Sequence, residues 1–247
     1  MTGSSASRAA RTITAASVVA AVVLAGCSTA GKAVTNTLAP ATPVPSTAST
    51  SPAVTPASLG KVLEKIAIEN ADLQPGYTLG LIPEGATVRG QVTLDNCGFD
   101  FTSEAHRVAR RQFVVFNALQ QQAGVSNELV AYDSPAEASA ALTQWRDAAS
   151  RCPATPVHST VAGAPALRDK VTTNVADIAD LPVPNNALTV ESQSAQGKTI
   201  FAIGVLQQRG RYLDIIWGQQ LTAPSPTDLA GAVKLASDTG WRLAAQH

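Results

Sequence analysis

Residues 198–217 read KTIFAIGVLQQRGRYLDIIW, and their pattern decides the fold. Two runs rich in Ile, Val, Leu and aromatic residues, 198–207 and 211–217, flank Arg209-Gly210, as two strands joined by a tight turn would. In the second run Leu213, Ile215 and Trp217 alternate with Tyr212, Asp214 and Ile216, so one face is strongly apolar and the other mixed. A third strand candidate, 188–194, precedes them, and the three make an antiparallel meander.

Helices flank this meander. Downstream, Ser225-Pro226-Thr227-Asp228 opens a helix that sets Leu229, Val233, Ala236 and Trp241 on one side. Upstream, Ser134-Pro135-Ala136-Glu137 combines a cap, a proline in the first turn and an early acid. It is followed by Ala138, Ala141, Leu142 and Trp145 at helical spacing up to Cys152-Pro153. Before that helix, 112–117 and 128–132 read as an antiparallel strand pair, and Ser103 with Glu104 as the start of a short helix. Residues 77–94 are broken by Pro83, Gly85 and Gly90, which leaves short strands, clearest at 88–94. Leu59, Val62, Leu63, Ile66 and Ala67 recur at helical spacing behind a candidate cap, Ser58, until Pro75-Gly76 stops the helix. Residues 157–188, rich in Gly, Pro and Asn, read as loop with a strand candidate at 158–161. The expected fold is α+β, with an antiparallel sheet of about five to six strands packed by helices.

The segment before residue 59 belongs to another class. Arg8 and Arg11 precede an uncharged apolar run at 12–26, the pattern of a secretory signal, and that run falls short of the ~20 residues needed to span a bilayer. It closes in Leu24-Ala25-Gly26-Cys27, which resembles the lipobox of bacterial lipoproteins, where the Cys thiol takes a diacylglyceryl group and the signal is cut before it. Residues 1–26 are then a signal peptide and Cys27 the first mature residue, bound to a membrane through its acyl chains. Residues 27–58, dominated by Ser, Thr, Ala and Pro with Lys32 as the one charge, bury too little to fold. As polyproline II, about 30 such residues reach roughly 90 Å. Residues 59–247 form the extracytoplasmic domain.

Composition narrows the function. Hydrophobic residues make up 45% of the chain and aromatic ones 4%, so the core is built from Val, Leu, Ile and Ala and offers no large aromatic cofactor pocket. The chain has 18 basic and 18 acidic residues; Arg8 and Arg11 precede Cys27 and every acid follows it, so the mature chain carries a net charge of −2. That near-balance provides no electrostatic basis for binding nucleic acid. With Cys27 acylated, Cys97 and Cys152 are the remaining thiols, and in an oxidising compartment such a pair forms a disulfide. No ligand spacing for a metal is present, and no cofactor is expected.

Candidate chemistry is sparse. His106, His158 and His247 form no motif, and His106 with Ser103, Glu104 and Asp100 lies too close in sequence for a triad. Arg107, Arg110 and Arg111 could meet an anionic headgroup or glycan, or form a solvated face paired with Glu104. Asp95, Asp100 and Glu128 are the scattered acids that a cell-wall hydrolase or transferase would have to pair.

At Ala71-Asp72-Leu73-Gln74-Pro75-Gly76-Tyr77, at Leu94-Asp95-Asn96-Cys97-Gly98 leading into Ser103 through Arg111, and at Arg151-Cys152-Pro153, the chain resembles actinobacterial sensor-domain-containing lipoproteins. These look related to the extracellular sensor domain of the mycobacterial receptor Ser/Thr kinase H. The resemblance implies an α+β domain with an antiparallel sheet and a cleft for an unidentified ligand. The kinase domain is associated with two disulfides where this chain has cysteines for one, and no ligand-binding residue carries over. The sequence therefore points to a non-enzymatic envelope lipoprotein that binds a small molecule, glycan or protein partner. The alternatives are the carboxylate enzyme just described and a lipid carrier with a deep apolar cavity. Mass spectrometry of the native N-terminus should find an acylated Cys27, and Cys27→Ser should move the protein from the membrane to the soluble fraction; an unmodified Cys27 would end the anchoring argument.

Overall fold

The computed structural model describes residues 54–89, 94, 97–117, 123–152, 167–194 and 196–246. The signal, Cys27, the tether up to 53, Asp95, the 158–161 strand candidate with His158, and His247 lie outside the described residues. Seven strands form one antiparallel sheet in the order β1-β2-β3-β7-β6-β5-β4, one or two more than the sequence led us to expect. They are β1 (Tyr77–Leu81), β2 (Arg107–Asn117), β3 (Ala123–Tyr132), β4 (Leu167–Ala176), β5 (Asn185–Ser194), β6 (Thr199–Arg209) and β7 (Tyr212–Gln220). The β6–β7 hairpin turns at Gly210, whose φ of +54° is one that glycine adopts without penalty. Two corrections account for the count. Strand β4 occupies residues read as loop, and β1 lies upstream of the expected 88–94 strand, whose described members Val88, Arg89 and Leu94 are outside any strand.

Because β7 is central, both of its faces are buried. Leu213 and Ile215 join Leu206, Leu188, Val190, Val130 and Tyr132 on the face covered by α2 (Pro135–Arg151). Ala138, Ala141, Ala148 and Ala149 bring that helix close to the sheet, and buried Trp145 meets Trp217 edge-on with ring centroids 5.2 Å apart. Gly204 makes room for this contact, since a Cβ there would stand 2.9 Å from the Trp217 ring. On the other face, Leu129, Ala131 and Tyr212 pack under α1 (Pro56–Ile66), while Val205, Ile216 and Ala187 pack under α3 (Pro226–Ala244). Helix α1 is capped by Thr55, in a reciprocal box with Ser58, so it starts one turn before the cap expected from sequence. Trp241, expected on the buried side of α3, is 65% exposed, and Leu243 fills the core in its place. Among the described residues no helix is long and apolar enough to cross a membrane.

Edge strand β1 is closed by the turn before it. The N–H of Leu79 donates to Asn70 Oδ1 at 3.3 Å and that of Tyr77 to Gln74 O at 3.2 Å, which uses donors that would otherwise face outward. At the α2 end of the sheet, Cys97 and Cys152 are disulfide-bonded with Cα atoms 6.0 Å apart, as the cysteine count required. The Cys97 N–H also donates to Asp169 of β4 at 3.1 Å, and Ser192 of β5 donates to the same carboxylate at 2.7 Å. The bridge therefore fastens the segment before β2 both to the end of α2 and to the edge of the sheet. A 55-residue separation corresponds to roughly 4 kcal/mol of chain entropy. The Cys97→Ser, Cys152→Ser double variant should accordingly lose about 2–4 kcal/mol in urea unfolding followed by circular dichroism.

Candidate groove between the sheet and helix α3

The reciprocal cap of α3 sets the site. Ser225 accepts from the Asp228 N–H, and Asp228 accepts in turn from the Ser225 N–H at 2.8 Å and its hydroxyl at 2.7 Å. The Ser225 hydrogen bonds hold the Asp228 carboxyl below its ordinary pKa. Helix α3 leaves this cap and runs back over β7 and β6. Between its first turns and the sheet lies a groove of about 470 Å³.

Val115 of β2, Val125 of β3, Ile216 of β7 and Ile203 of β6 line the sheet side, and Ala232 and Leu235 the helix side. Leu73, Gln74 and Tyr77 bound it laterally. Three glycines also line it: Gly124, Gly218 and Gly231. An added Cβ at Gly124 or Gly231 would meet nothing within 4 Å, and at Gly218 only Gly124 O at 3.9 Å. None of the three has a positive φ. Neither crowding nor backbone conformation therefore calls for glycine at these positions, although in a helix interior it costs about 1 kcal/mol relative to Ala. Gly124 and Gly231 are exposed and Gly218 is half-buried, so the space beside them is continuous with solvent.

The roof is held by two polar attachments. Asp72 receives Arg242 Nη2 at 2.7 Å and Nη1 at 3.3 Å, and Arg242 Nε donates to Ile66 O at 3.1 Å, which ties α3 to the end of α1. Burial pushes the Asp72 pKa up, but the hydrogen bonds from Arg242 and Glu69 N–H outweigh it and the net shift is downward. Deeper in, the carboxylate of Asp214 on β7 is completely buried. It accepts from Asn127 Nδ2 of β3 at 2.6 Å, from Gln207 Nε2 of β6 at 2.9 Å and from the Thr239 hydroxyl of α3. Asn127 Oδ1 receives the Ile68 N–H at 3.0 Å, and Gln207 Nε2 also reaches Ala236 O at 2.6 Å. Desolvation raises the Asp214 pKa to about 6, against the pull of its three donors and of the Arg242 charge.

The acids and bases singled out in the sequence do not converge here. Glu128 is buried, and its carboxylate pairs with buried Arg110, which also donates to Glu84 O at 3.2 Å and Gln112 Oε1 at 2.7 Å. Asp100 is exposed. Neither lines the groove. His106 sits exposed beside Asp133, with Nδ1 2.9 Å from the carboxylate, and the Asp133 hydrogen bond raises its pKa. Ser103 is hydrogen-bonded to Gln144 Oε1 at 3.1 Å. The Arg107–Arg111 run lies on β2: Arg107 is buried against Glu104 at 3.2 Å, and Arg111 reaches Glu64 of α1 at 2.7 Å. The cluster is thus built into the fold and does not form a solvated face. Sequence reading missed the groove because its lining converges from five strands and a helix; the local hint was Gly231 inside a helical run.

No family model matches the chain, and no curated protein matches it. Among solved structures it is similar to the extracellular domain of PknH from Mycobacterium tuberculosis. The TM-score is 0.48 at 10% sequence identity, over 73% of this chain and 95% of that one. At that distance no ligand or site residue passes from one protein to the other.

Asp214 yields a signed pH dependence. The folded state takes up its proton near pH 6, the unfolded chain near 3.8, so the stability gained on protonation is complete below about 3.8 and lost as pH rises through 6. At about 1.4 kcal/mol per pKa unit the window spans about 3 kcal/mol. The stability of the natural protein relative to Asp214→Asn should fall from pH 4 to pH 6 and then level off, as read by urea unfolding at each pH.

Proposed function

We propose that this chain is a lipid-anchored extracytoplasmic protein whose domain binds a small molecule with an apolar body in the groove beneath α3, and does so without catalysing its conversion. The observation that carries the binding reading is the trio Gly124, Gly218 and Gly231, which lines an apolar groove where a side chain would meet almost nothing. A volume of about 470 Å³ falls within the range of small-molecule sites. Leu73, Val115, Val125, Ile203, Ile216 and Leu235 supply the hydrophobic contact.

The address rests on separate support. The Cys27 lipobox and its preceding signal point to the outer face of a membrane, and the Cys97–Cys152 bridge agrees with an oxidising compartment. The binding and carrier readings of the sequence meet in this groove, whose lining is mostly hydrocarbon.

The test uses the mature chain with Cys27→Ser and the uncharged reporter N-phenyl-1-naphthylamine, whose fluorescence rises in apolar surroundings. The parent should bind it, and Gly231→Leu or Gly218→Val should abolish binding by filling the groove. Gly231→Ala should raise stability by about 0.5–1 kcal/mol. Undiminished reporter binding by both filled variants, or specific turnover of an envelope substrate, would refute the proposal.

A further inference from the structure

Helix α3 is lightly held by hydrocarbon. Its buried residues are Ala236, Thr239, Gly240 and Leu243, of which Leu243 alone is a large aliphatic, whereas α2 buries Leu142 and Trp145 beside its alanines. Residues 221–225, which lead into α3 from β7, are exposed except Pro224. A helix with so little apolar contact depends on its polar attachments to stay down. These are Thr239 and Ala236 O at the Asp214 knot, and Arg242 on Asp72 and Ile66 O.

The knot has two hydrogen-bonded arrangements. With Asp214 ionised, the Thr239 hydroxyl donates to it. Ala236 O and Leu235 O lie 3.1 and 3.3 Å from the same hydroxyl. When Asp214 takes a proton from solvent it donates to Thr239 Oγ, and Thr239 turns its own proton to one of those carbonyls. Asn127 Nδ2 still has Asp214 Oδ1 at 2.6 Å, and Gln207 Nε2 keeps Ala236 O at 2.6 Å. Both states are satisfied in the closed structure, and what separates them is the cost of burying a charge. The charged groups on the surrounding elements do not offset that cost. Arg242 is paired with Asp72, Lys234 with Asp238, and Glu128, on the opposite face of β3, with Arg110. Asp228 is held by Ser225, and Arg209 of β6 and Lys65 and Glu69 at the end of α1 are exposed.

We infer that Asp214 and Thr239 form a proton-operated latch on α3: with Asp214 protonated the helix stays down on the sheet, and with Asp214 ionised its C-terminal half lifts more often and uncovers the groove. Lifting hydrates the carboxyl, a gain that the ionised form makes in full and the neutral form hardly makes. The latch is a property of the fold; that its release admits a ligand rests on the binding reading above.

The experiment is hydrogen exchange of the mature Cys27→Ser chain by mass spectrometry at pH 4 and pH 7, with intrinsic rates divided out. Amides of 232–243 should exchange ahead of those of α2 at both pH values. Their protection should fall about fiftyfold from pH 4 to pH 7, as expected when opening returns a carboxyl titrating near 6 to its ordinary range. In Asp214→Asn that fall should vanish. Two variants keep the carboxylate: Thr239→Val should lower α3 protection more at pH 7 than at pH 4, and Thr239→Ser should match the natural chain. Exchange of 232–243 only in step with α2, a pH response that survives Asp214→Asn, or an unaffected Thr239→Val overturns the latch. Stopped-flow binding of N-phenyl-1-naphthylamine should quicken from pH 4 to pH 7. A pH-independent rate overturns gating of the groove and leaves the latch standing, whereas a reporter that does not bind refutes the groove reading and leaves the latch to the exchange result.

Discussion

The Asp214 carboxylate is completely enclosed and accepts from three donors on three different elements, and the arrangement of the other layers depends on it. A charge taken out of water is tolerable only if its lone pairs are occupied. Asn127, Gln207 and Thr239 occupy them, and each brings its own element into register: β3, β6 and α3. Asn127 passes the constraint on to the chain leaving α1 through the Ile68 N–H. Two helices and three strands are thus located by a single residue on the mixed face of the central strand. Tight packing follows from the same point, because a Cβ on Gly240 would collide with Gln207 Oε1.

This polar knot also explains how a groove can persist beside a packed core. The far part of α3 is held down by Thr239, Ala236 and Arg242, while its first turns are fixed by the Ser225–Asp228 cap. Between these attachments the helix rests on Ala232 and Leu235, and Gly231 leaves the space between helix and sheet unfilled. Polar hydrogen bonds at both ends do the positioning that side-chain volume would otherwise do in the middle. The space between helix and sheet is then left open.

Elements with local signals were legible in the sequence. The β6–β7 hairpin announces itself by a turn glycine between apolar runs, and α2 and α3 by Ser-Pro starts with an acid at the third helical position. Strand β4, LRDKVTTNVA, was not legible because it is a polar edge strand that owes its existence to pairing with β5. In the Arg107–Arg111 run the pairing with Glu104 was legible and holds for Arg107, but the burial of Arg107 and Arg110 was not, because Glu128 reaches Arg110 only across the paired strands. Trp241 was expected beside Leu229, Val233 and Ala236 on one side of α3, whereas the helix faces the core with Ala236, Thr239, Gly240 and Leu243. The groove stayed hidden for the same nonlocal reason: Gly218 lies 141 residues beyond Tyr77 in the chain, and none of the walls that meet there carries a motif.

The closed edge at β1 acquires significance wherever two copies of the domain meet. An open strand with apolar Leu79 and Leu81 would be a template on which neighbours could add strands to a continuous sheet. Asn70 and Gln74 spend their acceptors on Leu79 and Tyr77 before a neighbour can. Two modest hydrogen bonds in a surface turn thereby oppose the addition of a neighbour's strand at this edge.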